Sequence, residues 1–114
     1  MNKVAIIGGG ASGLMAALTA AKAGADVTIY EHNKSVGKKI LASGNGRCNI
    51  INTTAYVNDY FGADPSFALY ALESMPFNSF EKFCHSIGLL LDSKDDGRCY
   101  PLSNEAKSVV IAFS

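Results

Sequence analysis

The sequence contains too few cysteines to be held together by disulfide bonds. Its 114 residues include three, Cys48, Cys84 and Cys99, and none belongs to a Cys-x-x-Cys pair. An odd number without paired spacing is typical of neither a disulfide framework nor a zinc site. We therefore expect reduced thiols in a cytoplasmic protein, and no bound metal.

The sequence also lacks net charge and long apolar runs. Lys plus Arg and Asp plus Glu each total 10, whereas proteins that bind nucleic acid or an anionic membrane usually carry a basic excess. The apolar run at residues 4–7 is ended by three glycines, and the next apolar stretch contains Lys22. No window reaches the ~18 apolar residues of a membrane span. These absences predict a soluble protein whose partners are neither nucleic acid nor a membrane.

What is present is the composition of one globular domain, 48% hydrophobic and 18% charged. β-branched runs at residues 3–7 and 27–30 predict two buried strands. Between them, residues 12–23 are rich in Ala and Leu, which predicts a helix, and Gly24 follows as its C-terminal cap. The three elements fill about 30 residues, the size of a right-handed β-α-β crossover with parallel strands.

The turn between the first strand and the helix reads Gly8-Gly9-Gly10-Ala11-Ser12-Gly13, a G-x-G-x-x-G pattern. Gly8 permits the tight turn, Gly10 lets a pyrophosphate approach the backbone, and Gly13 lets the helix pack closely on the strand. The N-terminus of the helix offers unpaired N–H groups and a positive dipole end to phosphates. With a strand before it and a helix after it, the pattern indicates a dinucleotide-binding site.

An acidic residue, Glu31, ends the second strand, about 20 residues after the glycines. A carboxylate in this place accepts hydrogen bonds from the ribose hydroxyls of an adenosine and repels a 2′-phosphate. Glu31 therefore favours FAD or NAD over NADP. The alternative is a solvated charge at the end of a strand.

Beyond Glu31 the patterns become shorter. We predict a glycine-rich cofactor loop at residues 32–52, helices at 65–88, a β-hairpin at 89–100 and a last helix at 103–113. Pro65 and Pro76 stand near the starts of two helices, Asp95-Asp96-Gly97 is a hairpin turn, and Ser103 can cap the last helix.

Two strands do not complete a doubly wound sheet, which is buried on both faces. No third long strand follows the hairpin. We therefore expect residues 1–114 to be the N-terminal portion of a longer Rossmann-type α/β domain. Uncovered strands in such a portion would favour self-association of the chain.

A second pattern, at residues 37–49, reads Gly-Lys-Lys-Ile-Leu-Ala-Ser-Gly-Asn-Gly-Arg-Cys-Asn. Lys38, Lys39 and Arg47 could face phosphates, and the glycines let backbone come near a ligand. A mobile basic loop fits this chemistry equally well. Together with the first 31 residues and the Gly-Arg-Cys-Tyr-Pro-Leu-Ser stretch at 97–103, this run resembles the BaiN-like, aminoacetone-oxidase-like family of FAD-dependent oxidoreductases. The resemblance covers essentially the whole chain, although Ile51 stands where that family usually has a threonine.

The resemblance implies a two-dinucleotide-domain flavoprotein that binds FAD and, at full length, a small-molecule substrate. NAD(P)H is then the candidate electron donor, and the redox chemistry belongs to the flavin. The pyrophosphate is expected over residues 8–13 and the adenosine ribose on Glu31. Lys39 is expected near the adenosine half, and residues 43–49 along the diphosphate and towards the flavin. The implied cofactor-binding residues are Gly8, Gly10, Ala11, Ser12, Gly13, Glu31, Lys39, Ser43, Gly44, Gly46, Arg47, Cys48 and Asn49.

The sequence assigns no catalytic residue. Two other functions are also compatible with the glycines and Glu31. An NAD-dependent dehydrogenase is one, although its domain would continue into helix and strand rather than the pattern at residues 43–49. A non-catalytic nucleotide-binding module is the other. Cys48 could be a redox thiol beside the flavin, or a small side chain filling a tight loop. Phe77, Phe80 and Phe83 recur every three residues, which predicts a core stripe.

Overall fold

The computed structural model describes residues 1–114 and contains five strands and five α-helices. The strands are β1 (Lys3–Ile7), β2 (Asp26–Tyr30), β3 (Ile51–Asn52), β4 (Leu91–Ser93) and β5 (Arg98–Pro101). The helices are α1 (Ala11–Lys22), α2 (Lys38–Ala42), α3 (Leu69–Ser74), α4 (Phe77–Ser86) and α5 (Ala106–Phe113). Three 3₁₀ turns lie at Ser43–Gly46, Val57–Asp59 and Pro65–Ala68. The predicted α/β fold is confirmed.

The first three elements form the predicted β-α-β unit, in which β1 and β2 pair in parallel with Ile6 beside Ile29. Side chains alternate along each strand, so Ile6 and Ile29 lie on the half-buried face of the pair. Ile7 and Tyr30 lie on the opposite face, where they are 83% and 58% exposed. One face of this small sheet is therefore uncovered within the chain, with Ile7 and Tyr30 as its large apolar side chains.

Helix α1 ends at the predicted glycine. Gly24 adopts a φ of +95°, which costs a glycine nothing because it has no Cβ. Its N–H donates to the Ala21 carbonyl at 3.0 Å, and the N–H of Ala25 donates to the Ala20 carbonyl at 3.0 Å. These two bonds are the Schellman arrangement that turns the chain sharply into β2.

The predicted hairpin is present and forms part of a three-stranded antiparallel sheet, in the order β3-β5-β4. Its turn ends at Gly97, which has a φ of +91°. Strand β3 was not predicted as a strand, because two residues are too few to show an alternating pattern. It pairs with β5, with Ile51 opposite Cys99. Ile51 is therefore part of the edge strand of this sheet.

The core lies between α1, α2, α4 and α5. Its buried members are Leu14, Ile40, Cys48, Cys84, Leu89, Ala106, Val109 and Phe113. The predicted helices at 65–88 are present as a 3₁₀ turn followed by α3 and α4. Of the predicted stripe, Phe80 and Phe83 pack against the core but Phe77 does not. The Phe83 ring centroid lies 6.1 Å from that of Phe113.

The interpretation of residues 32–52 as one long loop is wrong in part. The segment contains α2, a 3₁₀ turn and the residues of β3. Helix α2 forms because its residues are good helix formers and because Ile40 is buried among the core residues. The surrounding Gly, Asn and Ser obscured this five-residue helix in the sequence.

The prediction that Ser103 caps the last helix is also wrong. Helix α5 begins at Ala106, with Glu105 in the capping position. Asn104 has a left-handed φ of +62°, so a right-handed helix cannot include it. The Ser103 hydroxyl instead accepts a hydrogen bond from the Glu105 N–H at 3.2 Å and lies 2.6 Å from the Ser108 hydroxyl.

Candidate functional site

A cleft of about 700 Å³ opens at the N-terminus of α1. The glycine motif forms one wall, and α2 with the turn after it forms the other. The residues lining the cleft are Gly10, Ala11, Ser12, Met15, Lys39, Ile40, Ser43, Cys48, Asn49, Ile50, Phe80, Val109 and Phe113. Two patterns that lie about 30 residues apart in the sequence therefore meet across one cavity.

The three glycines of the motif have three different local environments. Gly8 has a φ of +98°, and its N–H donates to the Tyr30 carbonyl at 2.8 Å. A Cβ on Gly13 would overlap the Gly8 carbonyl oxygen, whereas a Cβ on Gly10 would meet no atom within 4 Å. Gly8 is thus required by the turn and Gly13 by helix packing, and neither reason applies to Gly10.

The N-terminus of α1 favours a negatively charged ligand. The first N–H groups of a helix lack partners within the helix, and here no side chain caps them and no acidic residue occupies the first turn. Gly10 is the capping residue, in an extended conformation, so the cleft meets the positive end of the helix dipole directly. Lys39 adds a positive charge from the opposite wall.

Glu31 lies beside the glycine motif at the end of β2. Its Oε1 accepts a hydrogen bond from the Gly9 N–H at 2.7 Å, and its Oε2 accepts one from the Asn33 N–H at 2.8 Å. The side chain is 14% exposed, and the exposed His32 Nδ1 lies 3.4 Å from Oε2. Each carboxylate oxygen has a further lone pair, so the group can still accept hydrogen bonds from a ligand.

The pKa of the Glu31 carboxyl is lowered below its ordinary value of 4.5 by the Asn33 N–H first and the Gly9 N–H second, with a smaller contribution from the positive charge on His32 when it is protonated. Partial burial opposes the shift. A carboxyl whose pKa is lower in the folded state stabilises that state fully above its unfolded pKa, and the contribution is lost as pH falls through the folded pKa.

We therefore expect Glu31→Gln to melt at a lower temperature than the unmodified chain at neutral pH. The difference should shrink as pH falls below about 4.5, where the carboxyl of the unfolded chain begins to protonate, and should level off once the pH lies below the lowered pKa of the folded chain. Thermal melts of both chains across this range measure the effect. A difference that stays constant down to the lowest pH would show that the charge of Glu31 does not stabilise the fold.

The second wall follows an unusual backbone path. Asn45 and Cys48 have left-handed φ values of +56° and +59°, as do Gly44 and Gly46 at +57° and +83°. A Cβ on Gly44 would lie 2.5 Å from the Asn49 N atom, so the turn closes tightly on itself. This path carries Ser43, Cys48 and Asn49 to the cleft, which the spacing of residues 43–49 alone does not dictate.

Of the thirteen residues predicted to bind the cofactor, seven line the cleft. They are Gly10, Ala11, Ser12, Lys39, Ser43, Cys48 and Asn49. Gly8 and Gly13 shape the glycine loop without lining the cleft, and Glu31 is hydrogen-bonded to that loop through the Gly9 N–H. Gly44 packs against the backbone of Asn49. A Cβ on Gly46 would meet no atom within 4 Å. Their roles toward a ligand stay predictions.

Arg47 is not brought to the cleft. Its guanidinium carbon lies 4.8 Å from the centroid of the Tyr100 ring, and it lines a separate, polar cavity of about 530 Å³ beside the β4-β5 hairpin. Adjacent residues in a turned backbone point in different directions, so Arg47 and Cys48 face different cavities.

Six cleft residues were missed by sequence reasoning, namely Met15, Ile40, Ile50, Phe80, Val109 and Phe113. They form the apolar part of the lining. Phe80 and Phe113 carry ordinary core signals, and only the packing of α4 and α5 against α1 brings them to the cavity. Met15 is the exception, because a residue one helical turn after Ala11 lies on the same face of α1.

The polypeptide has no helix that combines the length and the apolar character needed to span a bilayer.

Comparison with known proteins gives the family. The model described as "HI0933-like protein Rossmann domain" matches residues 2–114. The chain belongs to the HI0933-like family. This confirms the resemblance to the BaiN-like oxidoreductases, and the HI0933-like domain described above is the Rossmann nucleotide-binding domain of that family.

Curated relatives are similar to this HI0933-like domain along most of its length. The 3-dehydro-bile acid delta(4,6)-reductase of Clostridium scindens is 43% identical over 112 residues, which is 96% of this chain and 27% of the relative. The ribosomal RNA dihydrouridine synthases of Haemophilus influenzae and Escherichia coli are 35% and 33% identical over 95 residues, each match covering 83% of this chain and 24% of the relative. The chain thus spans about a quarter of the length of these relatives.

Proposed function

We propose that this HI0933-like domain binds FAD in the cleft at the N-terminus of α1, as the nucleotide-binding part of a flavin-dependent oxidoreductase. The single observation that carries the proposal is the environment of Gly10. Its backbone is extended, with a φ of −82° and a ψ of −165°, a conformation open to any residue. A Cβ there would enter empty space. Neither conformation nor internal packing requires glycine at this position, but close approach of a ligand does.

The charges around the cleft support a diphosphate as that ligand. The uncapped N–H groups at the start of α1 and the ammonium group of Lys39 offer hydrogen bonds and positive charge. Ser12 and Ser43 add hydroxyl groups at the two walls. The pyrophosphate of a dinucleotide matches this set of donors, and it would approach most closely at Gly10.

Glu31 supports an adenosine as one end of the ligand. Its remaining lone pairs can accept hydrogen bonds from the two ribose hydroxyls, and a 2′-phosphate would be repelled by the carboxylate. The apolar side chains of Met15, Ile50 and Phe80 line the same cleft. A dinucleotide with an aromatic group at its other end therefore suits this mixed lining better than a mononucleotide does.

FAD is favoured over NAD by the second wall. Ser43, Cys48 and Asn49 reach the cleft from the segment that distinguishes the BaiN-like oxidoreductases from simple NAD-binding domains. The name of the Clostridium scindens relative, a reductase, supports redox chemistry. The bound flavin would supply the hydride or electron transfer, while this chain's residues would bind and orient the cofactor. The substrate and any NAD(P)H donor belong to the proposal for the whole protein.

The test is a flavin absorption spectrum and an FAD titration on two proteins. One is the 114-residue chain. The other is a chimaera in which residues 2–114 replace the matching segment of the Clostridium scindens reductase. We expect the chimaera to bind FAD in a one-to-one ratio and the isolated chain to bind it weakly, since a flavin needs further walls. A well-folded chimaera that binds NAD but leaves FAD in solution would contradict the proposal.

Glu31→Ala should weaken FAD binding by the chimaera about ten- to a hundredfold, because hydrogen bonds to a charged group are lost. Titration calorimetry measures the change. Lys38→Ala is the matched control, since it removes a neighbouring charge that does not line the cleft. Equal affinities for Glu31→Ala and the unmodified chimaera would limit the role of Glu31 to its hydrogen bonds with the Gly9 and Asn33 N–H groups.

A further inference from the structure

Gly9, the variable second position of the glycine motif, is the one buried residue among residues 8–13. Both of its backbone polar groups are bonded to the segment that follows β2. Its N–H donates to Glu31 Oε1 at 2.7 Å, and its carbonyl accepts a hydrogen bond from the Gly37 N–H at 2.8 Å. The loop is therefore held at Gly9 by two hydrogen bonds, one to the Glu31 carboxylate and one from the Gly37 N–H.

Side-chain packing excludes any larger residue at this point. A Cβ on Gly9 would lie 2.5 Å from Val36 Cγ1 and 3.3 Å from Glu31 Oε1, well inside ordinary van der Waals contact. The conformation of Gly9 does not demand glycine, because its φ is not positive. Gly9 is thus a glycine because Val36 and Glu31 occupy the space of its side chain.

The same segment is anchored on its other side by α5. Gly37 has a φ of +78°, and a Cβ there would lie 2.8 Å from Val110 Cγ2. Gly9, Val36, Gly37 and Val110 form a continuous line of contacts from the phosphate loop to the core. The loop is consequently held by contacts within the fold.

We propose that Gly9 is a positioning residue, which locks the phosphate loop and the ribose-binding carboxylate of Glu31 into one rigid unit before a nucleotide binds. The proposal rests on the proposed function, since it assigns the diphosphate and the ribose to the two halves of that unit. Oε1 of Glu31 holds the loop, while the lone pairs that remain receive the ribose. Movement of either half is then transmitted to the other, and nucleotide affinity depends on a residue that touches no nucleotide.

The test uses the 114-residue chain and ADP, which carries both the adenosine ribose and a diphosphate. Gly9→Ala should lower the melting temperature by about 5 °C or more, the effect of overpacking in a domain of this size, and should weaken ADP binding at least about tenfold. Val36→Ala removes the Cγ1 atom and with it the closest contact, which leaves the Cβ of residue 36 at 3.1 Å and Glu31 Oε1 at 3.3 Å from the added methyl group. The Gly9→Ala/Val36→Ala double variant should therefore recover most of both losses.

Gly10→Ala is the matched control, because its methyl group meets no protein atom. It should weaken ADP binding while lowering the melting temperature by no more than a few degrees, the cost of a poorer helix cap, and Val36→Ala should not rescue it. Three results would overturn the proposal: a Gly9→Ala chain as stable as the unmodified one, a stability loss with unchanged ADP affinity, or losses that Val36→Ala does not repair.

A direct readout separates positioning from packing. The amide proton of Gly9, followed by NMR in the ligand-free chain, should shift with pH as Glu31 titrates, and this shift should vanish in Glu31→Gln. His32 is the other titratable group beside the carboxylate, so the titration is repeated in His32→Gln, where the shift should persist. A Gly9 amide insensitive to Glu31 would overturn the proposal. Failure of the unmodified chain to bind ADP would contradict the proposed function instead, and the amide titration would then decide whether Gly9 and Glu31 act as one unit.

Discussion

Gly13→Ala is expected to destabilise the domain by about 3 kcal/mol or more, at the upper end of overpacking effects. The added methyl group would overlap the Gly8 carbonyl oxygen and would lie 3.4 Å from Ile6 Cγ2. Both neighbours belong to β1 or its turn, and the backbone oxygen cannot move without shifting the strand. Helix α1 would have to move away from β1, which opens the half-buried face of the sheet.

Thermal melts measure this effect, and the expected loss is about 10 °C or more in melting temperature. Gly10→Ala is the control, since the same methyl group added three residues earlier meets no atom within 4 Å. A folded Gly13→Ala chain that melts with the control would show that α1 does not depend on close contact with β1. Because stabilities of small domains are modest, insoluble Gly13→Ala would also agree with the prediction, provided that Gly10→Ala is soluble.

The β-α-β unit was predictable from sequence because each of its signals lies within a few residues. The β-branched residues of β1, the Ala-rich run of α1 and the glycine after it each determine their own local structure. Gly24 illustrates this, since its left-handed φ and its two capping bonds follow from a glycine at the end of an apolar helix. Only the pairing register required the fold.

The second wall of the site was less predictable, because its shape depends on distant residues. Helix α2 has five residues, fewer than two turns, and shows no periodicity from which a helix can be recognised. Its Ile40 is buried in the same core cluster as Val109 of α5, so α2 depends on an element from the far end of the chain. Arg47 illustrates the same limit, since the sequence gives its charge but not the cavity that it faces.

Gly9 shows how a pattern can hide a structural demand. The G-x-G-x-x-G motif leaves its second position open, so the sequence offers no reason for glycine there. The reason lies in Val36 and Glu31, which pack against it from the segment after β2. Contacts between two loops have no periodic sequence signal, and only the assembled structure reveals them.

Gly10→Val is expected to weaken FAD binding by the chimaera at least about a hundredfold while leaving the domain folded. The extended backbone at Gly10 suits a β-branched residue, and no protein atom lies within 4 Å of the added Cβ, so the melting temperature should fall by no more than a few degrees, about the cost of a poorer helix cap. The branched side chain would instead fill the space where a pyrophosphate approaches α1. Thr28→Val serves as the control, because it places a valine on the exposed face of β2, away from the cleft, where the residue it replaces is already β-branched. Parallel FAD titrations and thermal melts of the two variants separate the effects of binding and folding. Stoichiometric FAD in Gly10→Val would contradict the assignment of the phosphate site to the N-terminus of α1.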